Sequence, residues 1–261
     1  SARKERQVAD RRLRGIGLAC YVDPCGGNRD QYASLRFSAS GAVQLAIGAQ
    51  SSGQGHETVF AQIVARRLGL QVSDVRVLQG DSDVVPSGQG SSGSRSIVIG
   101  GNAVALATTR SIGRGRAIAA GLLEADVADI TFAEGAYEIA GTDRRIAFAD
   151  VLTASFDAAR VPAGQDLGLD SRAQPMMRDV TFPNGCHIAE VEIEPDTGRV
   201  RLVAYTAVDD FGRVINPMLV AGQVHGATAQ GIGQALLEQS VFDAASGQLL
   251  SGSFMDYAMP R

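Results

Sequence analysis

Three short runs concentrate the residues able to do chemistry. Gly53-Gln54-Gly55-His56 and Gly222-Gln223-Val224-His225 share a Gly-Gln-x-His pattern, and Gly88-Gln89-Gly90-Ser91-Ser92-Gly93-Ser94 runs on into Arg95 and Ser96. Their amides, hydroxyls, imidazoles and guanidinium can all donate hydrogen bonds. Their glycines let the backbone approach a ligand closely. Each Gly-Gln-x-His run leads to a further glutamine, Gln62 or Gln230, and to an alanine-rich stretch with helical spacing. A helix start offers unpaired N–H groups and the positive end of its dipole. Two such starts and one serine-glycine loop around a cleft suit a large anionic ligand. The plainer alternative is that these residues are ordinary caps and turns. The loop lacks the Lys-Ser/Thr of a P-loop, and its glycines have no acidic residue at the spacing of a dinucleotide fingerprint.

The remaining reactive residues mainly exclude. Cys20, Cys25 and Cys186 are an odd count and form no disulfide framework. The C-x4-C pair lacks the third cysteine of a plant-type iron–sulfur site, because position 28 is Asn. His56, His187 and His225 fall in no zinc-binding pattern, so no metal ligand is assigned. Glu57 reads as an acid complementing a helix dipole. Glu190 and Glu192 share one face of a strand, expected to be solvated.

Several elements must position these groups. Residues 15–23 read as a strand, 24–30 as a loop, and 31–49 as a hairpin turning at Gly41. Val59, Phe60, Ile63, Val64 and Leu68 recur at helical spacing, which predicts a helix over 57–68 ended by Gly69. A strand and turn follow at 72–83, then a long Pro-Gly-Ser loop at 84–96. Residues 97–125 predict a buried helix, 126–150 short strands, and 151–160 a short helix. Residues 161–183 are irregular and mark a candidate boundary. Residues 187–210 form the clearest hairpin, with the turn at Pro195-Asp196-Thr197-Gly198, and 218–239 predict a helix. The charged run 3–14 reads as a solvated helix end or linker, and the final residues as irregular or strand.

A chain of 261 residues suits one large or two small domains at about 150 residues each. Hydrophobic residues at 45% and charged residues at 20% argue for a globular fold over a disordered one. A net charge of −4 gives no basic footprint for nucleic acid. No apolar run is long enough for a membrane span, and the N-terminus has no signal-peptide core, so a cytoplasmic location is expected. Glycine at 31 of 261 residues implies many tight loops.

The runs SGQGHETVFAQIVARRLGL, GDSDVVPSGQGSSGSRS and VDDFGRVINPMLVAGQVHGATAQGIGQALLE together resemble the molybdopterin-binding large subunit of the xanthine dehydrogenase/aldehyde oxidase family. The wording is most similar to the branch of the aerobic carbon monoxide dehydrogenases, and the resemblance runs from about residue 12 to 261. It implies an α+β fold with mixed or antiparallel sheets, helices on one face, and two similar hairpin–loop–helix units. It implies a molybdenum–molybdopterin cofactor, with the cytosine dinucleotide form as one option, held by Gln54, Gly55, Gly93, Ser94, Arg95, Ser96 and Gln223. It implies oxidation of an aldehyde, an N-heteroaromatic or CO with water as oxygen source. Electrons would leave through an iron–sulfur subunit and an FAD subunit. In the carbon monoxide branch copper also bridges to a cysteine.

The family's catalytic glutamate is expected beyond Arg261, and other cofactor contacts in an N-terminal part of the same subunit. The chain therefore reads as a fragment that is inactive by itself, with residues 1–160 as a first half and 161–261 as a second. Two further readings stay open: a non-catalytic cofactor-binding or assembly module, and an unrelated anion- or nucleotide-binding protein.

Overall fold

A computed structural model describes residues 12–27 and 29–260. The strands are β1 (Leu13–Val22), β2 (Cys25–Gly26), β3 (Arg29–Asp30), β4 (Ala33–Phe37), β5 (Val43–Ile47), β6 (Val75–Leu78), β7 (Ile130–Ala133), β8 (Ala136–Ile139) and β9 (Arg145–Ala147). After them come β10 (Ser171–Ala173), β11 (Met176–Met177), β12 (Val180–Thr181), β13 (Asn184–Ile193) and β14 (Val200–Asp210). The helices are α1 (His56–Leu68), α2 (Asn102–Leu123), α3 (Phe148–Ala154) and α4 (Pro217–Leu236). The architecture is α+β with mixed and antiparallel sheets, as expected.

The chain divides into two compact units, Pro24–Phe182 and the chain ends, Ser1–Asp23 with Pro183–Arg261. This places the division elsewhere than the expected 160/161. Residues 171–181 return to the first unit, where β10 pairs β4, β11 pairs β3 and β12 pairs β2. Strands of two or three residues carry almost no periodicity, so they read as irregular chain.

In the Pro24–Phe182 unit a four-stranded sheet has the order β10-β4-β5-β6. β4 and β5 form the expected hairpin, with Leu35 opposite Leu45. β6 runs parallel to β5, which requires a crossover, and α1 supplies it. Leu35, Leu45, Ile47, Phe60, Val64 and Leu68 are at most 1% exposed and share one core with Val104 and Ile118 of α2. Each such side chain contributes about 1.5–3 kcal/mol on burial. Gly69 ends α1 in the left-handed region, as predicted. The helix expected over 151–160 starts earlier and stops sooner, at Phe148–Ala154, because Phe148 joins the core.

In the unit of the chain ends, a three-stranded sheet has the order β1-β13-β14. The β13–β14 hairpin turns where expected, at Gly198 with φ 71°. Residues 3–11 of the charged run lie outside the described residues. Arg12 and Arg14 do not solvate a linker. They bond Glu192 at 2.6 and 3.1 Å, and Arg201 reaches the same carboxylate at 3.0 Å. The solvated face expected for Glu192 is therefore corrected: its side chain is 8% exposed and carries three guanidinium partners. Those hydrogen bonds, Arg12 first, hold its carboxyl down at about 2. α4 begins at Asn216-Pro217, where the Asn216 side chain accepts from Leu219 N and proline stands in the first turn.

Candidate functional site

The turn before α1 is built from two glycines and a glutamine. Gly53 (φ 106°) and Gly55 (φ 77°) lie in the left-handed region, which bends the chain sharply ahead of the helix. No side chain caps α1. Gln54 folds back, its Oε1 accepting from Ser51 Oγ at 3.3 Å and from Ser52 N. With that oxygen occupied, the amide Nε2 is the group Gln54 can offer a ligand, and it is a donor.

The Gly-Ser loop lies beside this turn. Gly90 N donates to Gly48 O at 3.3 Å, and Ser91 Oγ to Gln50 O at 2.6 Å. The approach is close enough that a Cβ on Gly48 would sit 2.5 Å from Ser87 O and 2.7 Å from Gly88 Cα. Only glycine fits there. Gly90, Gly93 and Ser94 all have positive φ (64°, 57° and 51°), and for Ser94 that is backbone strain. Ser96 then opens a six-residue π-helical segment, Ser96–Gly101, leading into α2. Such segments cluster at functional sites.

Arg95 is placed differently from a residue that reaches outward. It is 3% exposed, and its guanidinium bonds Gln89 Oε1 at 2.7 Å, Gln89 O and Gly90 O. Arg29 meets the same Gln89 oxygen at 2.6 Å. Burial, and then the Arg29 charge, lower the pKa of Arg95. It therefore acts as the clamp that holds the loop. Gln79 clamps the neighbouring turn, accepting from Ser51 N at 3.1 Å and donating to Glu57. Glu57, expected to complement the helix dipole, also braces this turn. Arg29 and Gln79 carried no signal in the sequence, since each acts on a partner 22 or more residues away.

His56 is buried against Phe60, with ring centroids 5.3 Å apart and no partner on Nδ1. Desolvation lowers its pKa, and Glu57 raises it by less.

Gln223 lies in the other unit. It is exposed and sits inside α4, six residues beyond the first helical residue, so it is not at a helix start as the repeated motif implied. His225 is exposed on the same helix. That unit also holds a polar cluster the sequence did not reveal. Asp209 Oδ1 accepts from Tyr21 OH at 2.8 Å and His187 Nε2 at 3.0 Å, while Tyr205 OH meets His187 Nδ1 at 2.8 Å. It braces β1, β13 and β14 where their partners are far apart in sequence.

Across residues 50–56 and 87–96 there is no carboxylate. The groups are amide and backbone N–H, hydroxyl and guanidinium, and one buried Arg95 Nε has no partner. Such a set fits a phosphate-bearing pterin. Among the described residues, no group of three or more His, Cys, Asp or Glu could hold a metal ion directly. No described helix is long and apolar enough to cross a membrane.

Comparison with known proteins gives the same reading. The model of the molybdopterin cofactor-binding domain matches residues 1–261. The 6-hydroxypseudooxynicotine dehydrogenase complex subunit gamma of Paenarthrobacter nicotinovorans is 34% identical over 98% of this chain and 32% of its own length. The carbon monoxide dehydrogenase large chain of Hydrogenophaga pseudoflava is 32% identical over 95% of this chain and 32% of its own. The structure of quinoline 2-oxidoreductase from Pseudomonas putida 86 superposes with a TM-score of 0.90 at 36% identity, covering all of this chain and 35% of that one. The chain thus spans about a third of the length of the curated relatives it matches. With the whole chain matched and the donor set agreeing, the chain belongs to the molybdopterin cofactor-binding domain family.

Proposed function

We propose that this chain is the cofactor-holding part of the large subunit of a molybdenum hydroxylase. The observation that carries the reading is the pairing of the Gly53–Gly55 turn with the clamped loop 88–96, which present donors and no acid. Gln54 would donate from Nε2. Gly55 and Gly93 would let the backbone come close, while Ser94 and Ser96 would supply hydroxyl or amide donors. Arg95 would keep that loop in shape from behind. Gln223 is assigned by its motif. When bound, the group would supply two-electron oxidation of a carbon centre with water as the oxygen source.

The full protein would act on an aldehyde, an N-heteroaromatic or CO, and N-heteroaromatics are the first class to assay. Two of the similar proteins above act, by their names, on 6-hydroxypseudooxynicotine or quinoline. The cytosine dinucleotide form of the cofactor belongs to this proposal. So do an N-terminal part of the same subunit, iron–sulfur and FAD partner subunits, and a cytoplasmic location. Glutamate chemistry would come from outside this chain.

The test is molybdenum and pterin content of the full-length protein carrying Gln54→Ala or Gln223→Ala. A hydrogen bond to a charged group is worth about 1.5–3 kcal/mol, or roughly 10- to 150-fold in affinity. Each variant should lose cofactor on dilution and gel filtration. Full retention in both, with unchanged turnover, would contradict the assignment.

A further inference from the structure

Cys20 on β1 and Cys186 on β13 are direct cross-strand partners. Their register also fixes which kind of pair they make. Asp23 N donates to Pro183 O at 3.0 Å, so Asp23 and Pro183 form a hydrogen-bonded pair at the end of the ladder. Hydrogen-bonded and non-hydrogen-bonded pairs alternate along antiparallel strands. Counting back along the register, Tyr21–Gly185 and Ala19–His187 are hydrogen-bonded pairs, while Val22–Asn184 and Cys20–Cys186 are not. Cα atoms of a non-hydrogen-bonded pair stand about 4.5 Å apart with their side chains close. A disulfide spans Cα separations of about 4.4–6.8 Å. The two side chains leave the sheet on one face, and both thiols are free. Cys20 is exposed and Cys186 partly so.

We propose that Cys20 and Cys186 form a reversible modification site, joined as a disulfide by a peroxide oxidant. Cys20, the more exposed, would attack the peroxide O–O bond through its sulfur, giving a sulfenic acid and releasing water. The Cys186 sulfur then attacks the Cys20 sulfur. The S–O bond breaks, the S–S bond forms and a second water leaves. Two thiols lose two electrons and two protons, and one peroxide becomes two waters. Its neighbour Cys20, and then desolvation, raise the pKa of the Cys186 thiol, so the more exposed Cys20 is the one placed to meet the oxidant first. The link would clip β1 to β13 across 166 residues of sequence. Of the three cysteines, Cys25 is buried and is the internal control.

The experiment uses the full-length polypeptide with its co-purifying subunits. Reduced protein is treated with hydrogen peroxide, alkylated and digested without reductant for peptide mass spectrometry. The expected product joins the peptide bearing Cys20 to that bearing Cys186, two hydrogens lighter than the reduced pair, and dithiothreitol releases it. It persists in Cys25→Ala and disappears in Cys20→Ser. Alkylation of both cysteines after treatment, a sulfinic acid at Cys20 without the link, or a link made to Cys25 would each overturn the proposal.

Discussion

The Gly-Gln-x-His run occurs twice, and the two copies adopt opposite conformations. Gly53-Gln54-Gly55-His56 is a left-handed turn ending where α1 begins, with His56 buried. Gly222-Gln223-Val224-His225 is uninterrupted helix, with Gln223 and His225 exposed. The third residue separates them. Gly55 can adopt φ 77°, whereas a β-branched valine at position 224 cannot readily do so. The upstream chain agrees: Asn216-Pro217 already starts α4 before the second copy is reached. Both copies follow a hairpin and a loop, so the order of elements repeats while the motif's place in that order does not.

The surroundings of the two copies differ most in packing, from the buried Phe60 to the exposed Met218. Phe60→Ala beneath His56 should cost about 3–5 kcal/mol in thermal or denaturant unfolding. Met218→Ala, 75% exposed on α4, should change stability by no more than about 0.5 kcal/mol. Equal effects would remove the contrast between an anchored turn and an exposed helix. Gly55→Val, which gives the first copy the residue of the second, should cost about 1–3 kcal/mol in strain. The reciprocal Val224→Gly should cost less, under about 1 kcal/mol of helix propensity, with helix content by circular dichroism otherwise retained.

The sheet that precedes α4 has its own pH signature. The Glu192 carboxyl is held at about 2, below its ordinary value of 4.5. Its contribution to stability is therefore full above about pH 4.5 and is lost as pH falls towards 2. Glu192→Gln should flatten that part of an acid-unfolding curve followed by circular dichroism. His56 acts with the same sign at higher pH: its lowered pKa means that the unfolded chain binds a proton first as pH drops below 6.5, so stability falls there too.

Local signals made much of the fold legible. The spacing of Val59 to Leu68 with Gly69 gave α1, the Pro195–Gly198 turn gave the β13–β14 hairpin, and the Gly-Ser run gave the loop beside the turn. Gln54 and the serines stood out because their types and spacing are unusual. What escaped was carried by partners distant in sequence. Arg29 reaches the Gln89 side chain across 60 residues and meets there the oxygen onto which Arg95 turns inward. Arg12 and Arg14 find Glu192 across about 180 residues, which no window of sequence contains. β10, β11 and β12 are too short to show a period, and only their pairing with β4, β3 and β2 defines them.

In the proposed assignment the Gly53–Gly55 turn needs its left-handed backbone to meet the cofactor, whereas Gln223 would offer its amide from continuous helix that a glycine at position 224 leaves in place. The most direct measurement is molybdopterin retained per polypeptide, after gel filtration, in full-length Gly55→Val and Val224→Gly proteins matched for folded fraction. Gly55→Val should lose at least about tenfold in retention, equivalent to about 1.4 kcal/mol, while Val224→Gly should keep most of its cofactor. Equal retention in the two variants would contradict that assignment.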